Sequence, residues 1–99
     1  MKLLAFLSHY RHGADILERI KTTKLGIVFV GNGIYHLVIK ENGKHSPILD
    51  KKNVDFYVLT EDIETRGFKV ENIDKRIIPV RYDDLVDLIF NEYEKLIWL

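Results

Sequence analysis

Four short apolar runs, at residues 3–7, 26–30, 54–59 and 76–80, constrain this chain more than any other feature. Each has the length of a strand, is rich in β-branched or aromatic residues, and gives way to polar or turn-forming residues. Their apolar character is continuous rather than alternating, which suits strands covered on both faces, as in parallel sheets. Helical patterns separate them. Residues 14–20 place Ile16, Leu17 and Ile20 on one face, with Asp15, Glu18 and Arg19 elsewhere. Near the C-terminus, Tyr82, Leu85, Val86, Ile89, Tyr93, Leu96 and Ile97 follow helical spacing along one stripe, which predicts a final helix. Asp83 is its expected N-cap, with Asp84 in the first turn. This alternation predicts one α/β three-layer domain over residues 1–99: a mainly parallel sheet of about four strands, with helices on both faces.

Residues 57–68 carry the most local information. A strand runs from Tyr57 into a short helix whose ends are both marked. Thr60 is suited to cap the orphan N–H groups, Glu61 and Asp62 suit the positive helix start, and Gly67 suits a left-handed exit. Residues 34–49 admit two readings. Asn42-Gly43 is a hairpin-turn dipeptide, but residues 34–38 also fit a helical turn followed by a long mobile loop, and the latter is our reading.

Composition excludes several functions. Fifteen basic residues balance fifteen acidic ones, so overall charge does not drive nucleic-acid binding, and one guard against self-association is missing. The chain has no cysteine, hence no disulfide, no thiolate metal site and no thiol nucleophile. The apolar start ends at Ser8 and His9, too soon for a typical signal peptide, and no stretch is long enough to span a bilayer. A cytoplasmic protein with no membrane contact is expected.

With these elements placed, the chain resembles the DsrH/TusB family of small sulfur-relay subunits. The resemblance rests on an N-terminal strand and on a second apolar strand ending in Asn32-Gly33-Ile34-Tyr35. It continues through Tyr57-Val58-Leu59, Asp62 and Arg66-Gly67, then Ile78, Tyr82, Asp84-Leu85-Val86 and Leu88, and ends at Trp98. It implies a parallel sheet with helices on both faces, and assembly with two paralogous subunit types, DsrE/TusD-like and DsrF/TusC-like, in a hetero-oligomer. It further implies that a paralogue's cysteine accepts persulfide sulfur, serving either 2-thiolation of the tRNA wobble uridine or sulfur oxidation. That cysteine would align near Leu59, and a second family cysteine near Ile16 and Leu17; this chain has neither. Sulfur relay needs a thiol, and Met1 supplies only a thioether. The resemblance therefore implies a non-catalytic accessory subunit without a cofactor.

Ligands of open α/β sheets sit beyond the carboxyl ends of the strands. That rule singles out Ser8, His9, Asn32, Gly33, Thr60 and Glu61, and the resemblance adds Arg66, in a stretch from Thr60 that would border a partner's cysteine. These are the partner- or ligand-binding candidates, with no catalytic residue among them. Ser8, His9, Arg11 and His12 form a polar loop that reads either as an anion or partner site or as a solvated connection. His9 and His12 lack a third ligand, and His36 and His45 are poorly placed to supply one, so no metal site is expected. Gly31-Asn32-Gly33 begins like a dinucleotide fingerprint, but His36 stands where the third glycine belongs, so it reads as a tight turn. Two other functions remain open: a small hydrolase or transferase using His9 or His12, and a self-associating domain that binds nucleotides or small anions. Direct nucleic-acid binding is not expected.

Overall fold

The computed structural model describes residues 1–10, 14–17 (backbone only for 14 and 15) and 19–99. Five parallel strands form one sheet, in the order β4-β3-β2-β1-β5. They are β1 (Lys2–Leu7), β2 (Lys24–Phe29), β3 (Val54–Leu59), β4 (Ile77–Val80) and β5 (Lys95–Trp98). The helices are α1 (Ala14–Leu17), α2 (Tyr35–Val38), α3 (Thr60–Thr65) and α4 (Tyr82–Asn91), with 3-10 turns at Gly31–Ile34, Pro47–Asp50 and Val70–Asn72. Among the described residues, no helix is long and apolar enough to cross a membrane.

The order of the strands decides where the helices go. From β1 to β4 the chain steps one neighbour at a time; it then returns across the whole sheet to place β5 beside β1. Right-handed crossovers put the first three connections on one face and the returning one on the other. Alternate strand residues divide accordingly. Leu3, Ala5, Leu7, Ile27, Phe29, Phe56 and Val58 meet Leu17, Ile34, Ile48, Leu49 and Ile63 on the first face. Leu4, Phe6, Val28, Tyr57 and Leu59 meet Leu85, Leu88, Ile89 and Tyr93 on the second.

The predicted class stands, with a fifth strand added. The final helix ends at Asn91, and the stripe expected to continue it divides. Leu85 faces the sheet, Tyr93 is buried after the helix, and Leu96 and Ile97 lie in β5. The outer edge of β1 explains the switch, because its backbone N–H and C=O groups offer a ladder of hydrogen bonds that an extended segment can take up in full. Glu94 donates its N–H to the Lys2 carbonyl (2.9 Å), Leu99 to that of Phe6 (2.8 Å), and Ser8 to that of Leu99 (3.1 Å). Pairing across the sheet outweighs local periodicity here.

Three smaller expectations change. The N-cap of α4 is Arg81, not Asp83, and its N–H is received by the Asp84 carboxylate (3.0 Å), one half of a capping box. Thr60 is the buried first residue of α3 rather than its cap, since the extended backbone persists through Leu59. Ile16 is exposed while its neighbour Leu17 is fully buried, so they do not share a face. The far end of α3 is as expected: Gly67 takes φ +79°, Phe68 donates to the Ile63 carbonyl and Gly67 to that of Glu64, both at 3.1 Å. These bonds form a Schellman motif. Asn42 and Gly43 do turn the chain, with φ of 53° and 77°, but they close only a single antiparallel bridge between Glu41 and Lys44.

Candidate functional site

The carboxyl ends of the strands are tied together by polar side chains from α3 and its neighbours. The helix starts directly at the end of β3, so Glu61 and Asp62 point to opposite sides of it. Toward β2, the Asp62 carboxylate accepts the Gly31 N–H at 2.7 Å. Arg66, one turn further along α3, lies 4.0 Å from Asp62 and donates to the Asn32 side-chain oxygen at 3.4 Å. Toward β4, Glu61 accepts the Tyr82 N–H at 3.4 Å and lies 3.9 Å from the Arg81 guanidinium, which also pairs with Glu64 at 3.1 Å. The α3 carboxylates thus link β2, β3 and β4 at one edge. The second Glu61 oxygen is buried and has no hydrogen-bond partner among the described residues.

Four of the seven candidates, Asn32, Thr60, Glu61 and Arg66, lie on this part of the edge or immediately beside it. Ser8 lies at the same carboxyl edge but beside β5, donating from its hydroxyl to the Leu99 carbonyl (2.8 Å) and so locking β5 onto β1. The His9 carbonyl receives Nε2 of His36 at 3.1 Å. Gly33 is a packing residue: a Cβ there would overlap the Leu7 carbonyl oxygen, so only glycine lets the turn lie against β1. Arg11 and His12 lie outside the described residues.

Asp62 and His36 are the two residues that sequence reasoning undervalued. Asp62 reads locally as a carboxylate at the helix start that Arg66 can pair with one turn on, and nothing local predicts that it reaches Gly31. His36 is buried, with Nδ1 2.7 Å from the Ser46 hydroxyl and its ring near Tyr10 and Phe29. A carbonyl can only accept, so Nε2 carries the proton to His9 and Nδ1 accepts from Ser46. Burial holds the imidazole below its ordinary pKa, against the opposing pull of the His9 carbonyl. The lone sequence signal was a histidine set among Ile34, Tyr35 and Leu37, and its partner is ten residues away.

This chemistry favours holding over reacting. The serine–histidine pair has the spacing of an activated nucleophile, but both side chains are buried and mutually satisfied. The N–H groups of Gly31 and Gly33 are taken by Asp62 and by the Val30 carbonyl (2.8 Å), so neither is free to hold a phosphate. Among the described residues, no group of three metal-ligating side chains occurs.

Comparison with known proteins agrees with the fold. Protein Tm0979 from Thermotoga maritima, solved by NMR, shares 22% identity over 90% of this chain and 93% of its own, with a TM-score of 0.58. MTH1491 from Methanobacterium thermoautotrophicum, a protein of unknown function, matches over the whole length of both chains with a TM-score of 0.67 and 10% identity. At such identities the likeness is one of fold. No curated protein matches. The family described as DsrH like protein matches residues 8–95, nearly the entire chain, and this protein belongs to that family.

Proposed function

We propose that this chain is a non-catalytic accessory subunit of a sulfur-relay complex, working beside cysteine-bearing DsrE/TusD-like and DsrF/TusC-like paralogues in a hetero-oligomer. The observation that carries this reading is the absence of any cysteine from a DsrH-like chain. A persulfide forms when a thiolate attacks a sulfane sulfur and displaces another thiolate, so a side chain without a thiol cannot hold the cargo. Leu59, where the resemblance aligns a paralogue's cysteine, is a buried core residue at the end of β3. The contribution is therefore surface: the rigid edge from Thr60 to Arg66 borders a partner's cysteine and shapes access to it. The sulfur serves tRNA wobble-uridine thiolation or sulfur oxidation in the cytoplasm.

The test is co-expression with the two cysteine-bearing paralogues of the same genome, followed by native mass measurement and persulfide labelling. The expected result is a mixed complex whose persulfide resides only on the paralogues. Sulfurtransferase turnover by the isolated chain, or an isolated chain that ignores both paralogues, would overturn the reading.

A further inference from the structure

Five strands spaced about 4.8 Å apart make a face about 20 Å wide, room for two helices each about 10 Å across. On the single-helix face the chain supplies only α4. The helix directs Leu85, Leu88 and Ile89 to the sheet, and the next flank carries Tyr82, Val86 and Phe90. With a right-handed crossover from β4 to β5, that flank turns toward β5. There the register places Leu96 and Trp98 beside Leu4 and Phe6, on the same face, and Trp98 stacks on Phe6 at 4.9 Å. Wall and floor together form an open apolar shelf.

Its side chains are far from covered: Phe90 is 81% exposed, Trp98 68%, Tyr82 57%, Val86 50% and Leu96 43%. Together they form a patch comparable with the roughly 300–600 Å² of a typical monomer's largest apolar patch, and a large part of the about 800 Å² one partner contributes to a standard interface. The rim is acidic. Asp83 and Asp87 lie beside the stripe on the solvent side of α4, and the helix contains no lysine or arginine.

We propose that this shelf receives an amphipathic helix from a different subunit, apolar side down, with lysine or arginine on the flank beside Asp83 and Asp87. The inference rests on the accessory-subunit reading and names the face and chemistry by which the partner is held. A second copy is a poor occupant. Laid face to face, two copies would bury their Asp83 and Asp87 carboxylates against each other or against Leu96 and Trp98, uncompensated by any cation on the helix.

The test titrates the full-length chain with each cysteine-bearing paralogue by calorimetry, at low and high salt. A Val86→Asp/Phe90→Lys double variant should lose at least a hundredfold in affinity. Asp83→Lys/Asp87→Lys should lose about tenfold or more and flatten the salt dependence. Lys44→Glu, exposed in the connection that packs on the opposite face of the sheet, should bind as the parent does. Circular dichroism melts would show that the variants fold. In the unmutated chain, 5-fluorotryptophan at Trp98 should shift its ¹⁹F resonance on complex formation. Undiminished binding by the Val86/Phe90 variant, with Trp98 silent, would overturn the docking site and leave the subunit reading intact. No binding of either paralogue by the parent chain would remove both. A dimer of the chain alone that the Val86/Phe90 variant abolishes would assign the shelf to a second copy and overturn the proposal.

Discussion

The two faces of the sheet are built from the same alternating strands and covered very differently. Three successive connections lie on one face and bury Leu7, Phe29, Ile34 and Ile63 completely. The other carries one ten-residue helix and leaves large apolar side chains at its margin in solvent. Strand composition does not explain this, since both faces of β1 and β2 are apolar. The direction of chain travel does, because each reversal of direction moves the next helix to the opposite face. Stability should therefore concentrate on the crowded face, and association on the sparse one.

The largest effect should come from crowding the full face. Gly33→Ala forces a Cβ into the Leu7 carbonyl, backbone against backbone, and should cost about 3 kcal/mol or more, read by chemical denaturation. Leu85→Ala removes the most buried side chain of the lone helix and should cost about 2–3 kcal/mol, toward the low end for such truncations because α4 can settle into the space. An equal or larger loss there would break the comparison. Asp62→Ala leaves the Gly31 N–H and Arg66 without their carboxylate and should cost about 1–2 kcal/mol, with the carboxyl edge loosening in hydrogen exchange.

A gentler probe of the crowded face is pH. His36 is buried there in its neutral form with a depressed pKa, while the unfolded chain takes up a proton near the ordinary value of 6.5. Its contribution is complete above pH 6.5. It declines as pH falls from there toward the lower folded value, because only the unfolded state binds the proton. Denaturation midpoints of the parent should therefore fall more steeply between pH 7 and pH 5 than those of His36→Gln. Parallel curves would show that this imidazole is not held neutral. The smallest effect belongs to the sparse face: Phe90→Ser should change stability by less than about 0.5 kcal/mol while increasing solubility.

Much of the candidate site was legible residue by residue, but its connections were not. Asn32 and Glu61 were singled out at strand ends and Arg66 through the resemblance; Arg66 does reach Asn32, while Glu61 turns the other way, to Tyr82 and Arg81. Ser8 and His9 were singled out as polar strand-end contacts for a partner or ligand; within the fold, Ser8 locks β5 to β1 and the His9 carbonyl anchors His36. Asp62 and His36 find their main partners 31 and 10 residues away, separations at which no spacing rule operates.

The amino-acid sequence by itself determined the class of fold, the first four strands, the Gly67 helix exit and the absence of a thiol. Each is a matter of local composition or of chemistry a side chain either has or lacks. The tertiary structure alone decided that residues 95–98 form a strand, that α4 stands alone on its face, and that Tyr82, Val86, Phe90 and Trp98 border one open shelf. A segment's conformation depends on which unpaired backbone groups lie next to it, and a side chain's exposure depends on how many helices cross above it. Both are set by the order of the strands, which no single segment encodes.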